Sequence, residues 1–293
     1  MSTVPTDASA SASLDQLRAE ALQWGKKPRE WGTFYVAEHI VRAMRAYGWT
    51  IVVVSLGQPI VYLFGLVIGL AALIAAPIGD GGALTPYLVF VAPALLMSSA
   101  ISVASEEFTY PVMGGFKWRR YYYGFSASPI SPAQIANGVV LGTSARIVFT
   151  AVMYFGFAAA FIALLYPGMI HWATAWLCIP IAILAGLAFG VPLMAYASSV
   201  EDDKGQFALV QRFIFMPMFL FSGTFYPLTV LPVWLQWIGW VSPLWHASEL
   251  GRWALYDKPV AVGMLALHLG YLLVLTIGGL LIARRIFARR LGQ

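Results

Sequence analysis

Few residues in this chain have the types and spacing that chemistry needs. Glu106 and Glu107 are neighbours, so on a helix they point in different directions and make a poor acid/base pair. The four histidines, His39, His171, His246 and His268, are scattered, and each reads as structural or interfacial. The single cysteine, Cys178, lies in an apolar run, which leaves no disulfide framework and no thiolate metal cluster. No GxxxxGK[ST] phosphate loop, HExxH or GxSxG occurs, so the chain has no such means of binding ATP or cleaving a bond. No catalytic residue, metal site or cofactor is expected. The polar residue that stands out inside an apolar run is Gln58, next to Pro59. A polar group in lipid marks either a pathway or a helix contact.

The remaining candidates are surfaces. Phe116–Phe125, FKWRRYYYGF, is basic and aromatic, between Gly114-Gly115 and the pairs Ser128-Pro129 and Ser131-Pro132. Arg and Tyr are enriched at interaction hot spots, so it reads as a docking element. The alternative is an interfacial anchor for the flanking helices. Glu201-Asp202-Asp203-Lys204 reads as a solvated turn that could also pair with the basic segment.

The elements that must hold these residues are membrane helices. The 293 residues are 60% hydrophobic and 11% charged, with a mean hydropathy of +0.75. Soluble domains carry about 25% charge. Six runs are apolar enough to approach the roughly 20 residues that a spanning helix needs: 50–76, 85–104, 138–166, 172–198, 207–221 and 260–283, the fifth being short. Of 18 Lys and Arg, six precede the first run and the successive connections carry 0, 4, 0, 2 and 2, with four after the last run. The positive-inside rule then puts both termini and sixteen of the eighteen in the cytoplasm. The net charge of +5 is thus explained by topology and anionic headgroups, without nucleic acid.

Three segments lie outside these runs. Residues 1–30 are polar and Ser/Ala-rich and lack a signal-peptide core, which suggests a loosely ordered tail before one domain at 31–290. Residues 31–48 place Val36, Ile40, Ala43, Met44 and Tyr47 on one helical face, as expected of a helix lying on the cytoplasmic leaflet, the alternative being a helix packed on a soluble partner. Residues 222–250 are too apolar for a loop, yet too broken by Gly223, Pro227, Pro232 and Pro243 to span. An external hairpin that re-enters the membrane fits both facts, with Trp234, Trp237, Trp240 and Trp245 near headgroup level.

With these elements in order, the chain resembles the permease subunits of ABC type-2 exporters over about residues 31–285. The nearest branch in character is the one exporting lipo-oligosaccharides and drugs. Phe108–Gly138 is similar to that family's coupling loop (about 105–134 here), and Phe219–Arg252 is similar to its "FSGxFYP…LP…PL.H" signature. The resemblance implies an all-α, six-span plasma-membrane protein with no enzymatic activity of its own. It implies a separate nucleotide-binding ATPase that carries ATP and Mg, and a second permease subunit, identical or homologous. Phe116, Lys117, Trp118, Arg119, Arg120 and Tyr121 become candidates for coupling to the ATPase. Ser222, Gly223, Phe225, Tyr226, Pro227 and Pro232 become candidates for shaping an external gate. The expected cargo is amphipathic or lipid-linked. The competing readings are a carrier or channel with no ATPase, weakened by the lack of buried carboxylates in the apolar runs, and a membrane-embedded enzyme, weakened by the lack of a catalytic cluster.

Overall fold

The computed structural model describes residues 7–65, 78–80 and 83–292. Helices α1 (Asp7–Trp24), α2 (Lys26–Met44) and α3 (Gly48–Phe64) are followed by a small antiparallel pair, β1 (Ile78–Asp80) and β2 (Ala83–Thr85). Then come α4 (Tyr87–Glu107), α5 (Tyr110–Phe116), α6 (Tyr121–Ser126), α7 (Pro132–Leu165), α8 (Trp172–Ala175) and α9 (Cys178–Ser199). The chain continues through α10 (Gln206–Val210), a π-helical turn (Gln211–Phe215) and α11 (Met216–Phe221). It ends with α12 (Val233–Val241), α13 (Pro243–Tyr256) and α14 (Val262–Arg290).

Five helical stretches among the described residues are long and apolar enough to cross a membrane: Leu14–Phe64, Tyr87–Phe116, Pro132–Leu165, Trp172–Ser199 and Val262–Arg290. The expected fifth run is the shorter stretch Gln206–Phe221. At the helical rise it reaches about 24 Å, less than the roughly 30 Å hydrocarbon core. The expected first run continues to residue 76, but 66–77 lie outside the described residues. Asp7–Trp24 is helical where the composition points to a loose tail.

The centre of the bundle is α4. Its buried residues run all round the helix, from Tyr87 to Glu107. A helix apolar on every face belongs inside a bundle. It packs against α7, α9 and α13. By contrast α3 and α14 bury only a narrow stripe each. Pro59, Pro93 and Pro192 lie inside α3, α4 and α9, where neighbouring helices can re-satisfy freed backbone groups.

α2 packs lengthwise on the first half of α7. The close approach is set by glycine. A Cβ at Gly138 would lie 2.5 Å from the Val36 Cβ and 2.7 Å from the Thr33 carbonyl oxygen, and one at Gly142 would crowd Ile40. The buried side of α2 is therefore Gly32, Val36, Ala37 and Met44. Of the expected apolar face, Val36 and Met44 are buried, whereas Ala43 and Tyr47 are exposed. The packing partner is a helix of the bundle, which selects small residues. α7 starts at a capping box, with Ser131 accepting from the Gln134 N–H and Pro132 at the first turn. The Gln134 side chain reaches on to the Arg29 carbonyl at 2.6 Å and ties that cap to α2.

Candidate functional site

The two ends of the bundle differ in character. One end carries the starts of α2 and α7, the ends of α9 and α14, and the basic segment. Within that segment Phe116 is 2% exposed. It packs at an angle against Tyr122 and edge-on against Phe287, with the Arg290 guanidinium 4.4 Å from its ring centre. Phe116 is thus an anchor, and the surface is made by its neighbours. Lys117, Arg119 and Arg120 are exposed, and Trp118 is 60% exposed. Arg120 is left-handed (φ 53°) at the turn between α5 and α6, and its guanidinium lies 5.2 Å from the Tyr123 ring centre. Tyr121 is half-buried beside Phe125 and His39 of α2. The segment is therefore fixed against α2 and α14 while four basic and aromatic side chains face outward.

Two ion-pair systems tie this end together. Lys117 pairs with Asp202 in the α9–α10 turn, realising the contact between basic segment and acidic turn. The Lys117 ammonium, bonded to it, holds the Asp202 carboxyl below the usual carboxylate range. Arg146 of α7 grips Glu107 with one nitrogen and Glu106 with the other, the latter at 2.9 Å. The adjacent glutamates, expected to diverge, converge on one guanidinium because both lie at the end of α4, where long side chains can turn toward α7. Tyr47, Tyr110, Trp118 and Arg119 line a hollow with this triad.

The other end holds the broken apolar segment. After α11 the chain turns at Ser222–Gly223, where Gly223 has φ +71°, a conformation costly to any other side chain. A 3₁₀ turn (Leu228–Val230) leads into α12, which starts after Pro232, and α13 starts at a Ser242 cap followed by Pro243. Tyr226 donates to the Leu220 carbonyl at 2.9 Å, and Phe225 packs edge-on against Phe219. Pro227 and Pro232 hold extended backbone before each short helix. Trp234, Trp237 and Trp240 are exposed, whereas Trp245 packs on His246 and His268. The α12–α13 elbow reaches Tyr271, whose hydroxyl donates to the Val241 carbonyl. Tyr271 stands about 14 Å along α14 by helical rise.

What holds this segment is a residue that composition places in a loop. Arg252 is 1% exposed. It donates to the Gly223 carbonyl at 2.6 Å, to Glu249 at 2.9 Å and to the Phe90 carbonyl of α4 at 3.3 Å. Its guanidinium also lies 3.8 Å from the Phe90 ring centre. Glu249 is bound on its other side by Lys258 at 2.8 Å. The signal was present in the sequence: Glu249 and Arg252 are one helical turn apart in an otherwise apolar stretch. Two of the dispersed histidines also meet. His246 bonds the Trp240 carbonyl through Nε2 at 2.9 Å, and its Nδ1 faces the Nδ1 of His268 at 2.7 Å. With His246 donating to Trp240 through Nε2, its Nδ1 accepts from the His268 Nδ1–H, and the two bonds pin both rings.

Between the two ends, Gln58 and Tyr62 of α3, Ser98, Ser99 and Ser102 of α4, Tyr154 of α7, and Phe215, Met216 and Phe219 line a cleft of about 80 Å³. On the opposite face of the π-turn and α11, Phe213, Ile214, Pro217 and Met218 border an apolar groove of about 730 Å³ against α9, α12 and α14.

Residues 37–256 match the ABC-2 type transporter family. The chain belongs to that family. It is a membrane permease of this type, as the expected resemblance required. Nodulation protein J of Rhizobium leguminosarum bv. viciae is 28% identical over 242 residues, covering 81% of this chain and 86% of that protein. The inner membrane transport permease YadH of Escherichia coli (strain K12) is 27% identical over 216 residues, covering 71% and 76%. Nodulation protein J of Rhizobium meliloti (strain 1021) is 25% identical over 240 residues, covering 81% and 85%. No solved structure matches the chain. The matched region spans α2's second half through α13, so it contains the basic segment, the cleft, and Arg252 with its partners Phe90, Gly223 and Glu249.

Proposed function

We propose that this chain is the pathway-forming subunit of an ATP-driven exporter for an amphipathic or lipid-linked molecule. Both termini and the basic segment face the cytoplasm, with six spans crossing the membrane and the segment 222–250 re-entering from outside. A separate ATPase docks on Lys117, Trp118, Arg119 and Arg120, with Phe116 and Tyr121 as their support. Two permease subunits, identical or homologous, complete the pathway.

The observation that carries this reading is the build of the α5–α6 turn. Four outward basic and aromatic side chains stand on a buried aromatic plinth that touches α2, α6 and α14. A force on that turn is delivered to the bundle and not absorbed by a loop. The cleft and the groove on opposite faces of α11 support an amphipathic cargo, since the cleft sets hydroxyl and amide groups among apolar walls and the groove is almost wholly apolar. Ser222, Gly223, Phe225, Tyr226, Pro227 and Pro232 shape the outer gate, and Arg252 latches it to α4 through the Gly223 carbonyl.

The test is co-purification of the full chain with the products of its genomic neighbours in mild detergent. An ATPase should accompany the wild-type chain, and Arg119→Glu with Arg120→Glu should release it. Absence of any associated ATPase would overturn the exporter reading in favour of an ATPase-independent carrier.

A further inference from the structure

We infer that the outer turn Ser222–Thr224 is a two-state switch, held shut by Arg252 against two enclosed hydroxyls that gain partners only when it opens. This rests on the external gate proposed above and names what sets the gate's resting position.

Turns ordinarily run over the surface, because irregular backbone carries polar groups that need partners. Here Ser222, Gly223 and Thr224 are all buried, and Ser222 and Thr224 are 0% exposed. Neither hydroxyl has a hydrogen-bond partner among the described residues. Four enclosed side-chain nitrogen or oxygen atoms are unpartnered among those residues, and two of the four flank Gly223. Several buried hydroxyls elsewhere in the bundle are satisfied. Ser55 and Thr150 bond each other at 2.9 Å, Ser248 donates to the Leu244 carbonyl at 2.7 Å, and Ser198 donates to the Ala195 carbonyl at 2.8 Å.

An enclosed hydroxyl without a partner has given up water and received nothing in exchange. Alanine at 222 and valine at 224 would fill nearly the same space without that loss. The two hydroxyls therefore raise the energy of the closed turn, and exposure to external water relieves them. Unsatisfied groups of this kind mark a reservoir of strain.

One contact opposes them. The Arg252 guanidinium donates to the Gly223 carbonyl at 2.6 Å, between the two hydroxyl-bearing residues. A charged donor bonds more strongly than a neutral one, so this bond can hold the turn against both hydroxyls. Gly223, at φ +71°, is the pivot. Glycine passes between positive and negative φ with little penalty, so its peptide can turn away from Arg252 by rotation at one residue. A Cβ at Gly223 would lie 3.5 Å from the Trp245 Cδ1, so α13 covers the closed turn. Motion passes inward through Phe225, which packs edge-on against Phe219 in the wall of the cleft.

The test uses the full chain in phosphatidylcholine nanodiscs, without ATPase. Amide hydrogen exchange over residues 219–231 reads opening of the turn, and thermal unfolding reads stability of the closed state. Ser222→Ala and Thr224→Val should each raise the melting temperature by about 2 °C or more. Each should also slow exchange across the turn about five-fold or more. Ser248→Ala, which removes a satisfied buried hydroxyl from α13, should do neither. A melting temperature that stays level or falls, or exchange no slower than in the wild type, would overturn the switch, because the hydroxyls would then be content in the closed turn. The external placement is read separately, with a membrane-impermeant maleimide on Thr229→Cys in intact cells. Thr229 is exposed, and the native Cys178 is buried. Labelling together with unslowed exchange sinks the switch alone. Slowed exchange without labelling sinks the external gate alone.

Discussion

Arg252→Met removes the guanidinium and keeps much of the apolar stem. Three acceptors then lose a donor: the Gly223 carbonyl, one oxygen of Glu249, and the Phe90 carbonyl, which sits at the weakest distance of 3.3 Å. Glu249 keeps Lys258, so the carboxylate is not left wholly unpaired. Breaking a buried charged pair by deleting one partner costs about 3–5 kcal/mol. The surviving Lys258 contact argues for the lower end, about 3 kcal/mol. At about 2–4 °C per kcal/mol for a chain of this size, the melting temperature should fall by about 6–12 °C. Melting is followed in mild detergent and in nanodiscs, with Arg285→Met as a control at a less enclosed arginine. Pairing Arg252→Met with Glu249→Gln should cost less than the sum of the two, with a coupling of about 1–3 kcal/mol, since each change removes the other's partner. A shift below about 2 °C, or strict additivity, would refute the view that a desolvated guanidinium holds the outer segment to α4.

Other expected outcomes concern single elements. Gly223→Val forces a β-branched residue to φ +71°, at about 1–3 kcal/mol, and should abolish export in a vesicle assay while ATPase co-purification persists; normal export would remove the gate from the proposal. Gly138→Leu drives a side chain into Val36 and the Thr33 carbonyl, so α2 should lift from α7, seen as faster proteolysis between residues 24 and 45 and weaker ATPase association; an unchanged cleavage pattern would contradict the packing. Asp202 has a depressed carboxyl pKa, so its pairing with Lys117 is present above the ordinary carboxylate range and is lost only as pH falls through that lowered value. ATPase association should therefore be flat from about pH 6 to 8, and a step within that window would point to another group. Asp202→Asn should loosen the α5–α6 turn, read as faster amide exchange at Trp118–Arg120.

The long apolar helices were legible because the bilayer imposes one length and one polarity on them. α4, α7, α9 and α14 lie where hydropathy puts them, within a few residues at most ends. The breaks at Gly223, Pro227, Pro232 and Pro243 were legible for a related reason, since each falls at a turn or a helix start. Pairings between distant residues were not. Charge counting treats Arg252 as a loop cation, but it is enclosed because Phe90, 162 positions away, packs over it. Glu106 and Glu107 diverge by helical geometry alone, and only the approach of Arg146 from α7 brings them together. Gln58 was visible as a polar residue in an apolar run, whereas Ser98, Ser102 and Tyr154 became its companions only through packing. The amphipathic face of α2 was half legible, because a glycine-lined helix accepts Val36 and Ala37 and leaves Ala43 outside.

The two enclosed arginines give the proposed mechanism a mechanical form. Arg146 binds the last turn of α4 through Glu106 and Glu107, and Arg252 binds its first turn through Phe90. Only Phe108 and Thr109 separate α4 from α5, and neither is slack. Phe108 is fully buried, and the Thr109 hydroxyl donates to the Ser105 carbonyl at 2.8 Å. A push on Trp118–Arg120 therefore moves α5 and α4 together more readily than it bends the joint between them. α4 in turn supplies Ser98 and Ser102 to the cleft and supports the Arg252 latch on Gly223. On the exporter reading, one displaced helix would disturb the cargo contacts and the outer latch in a single motion. Arg146→Met should then uncouple ATP hydrolysis from export while leaving the ATPase bound, because it frees the driven end of α4 and keeps Lys117, Trp118, Arg119 and Arg120 themselves unchanged. Loss of ATPase binding in that variant would mean that the triad supports the surface itself and that force travels by another helix.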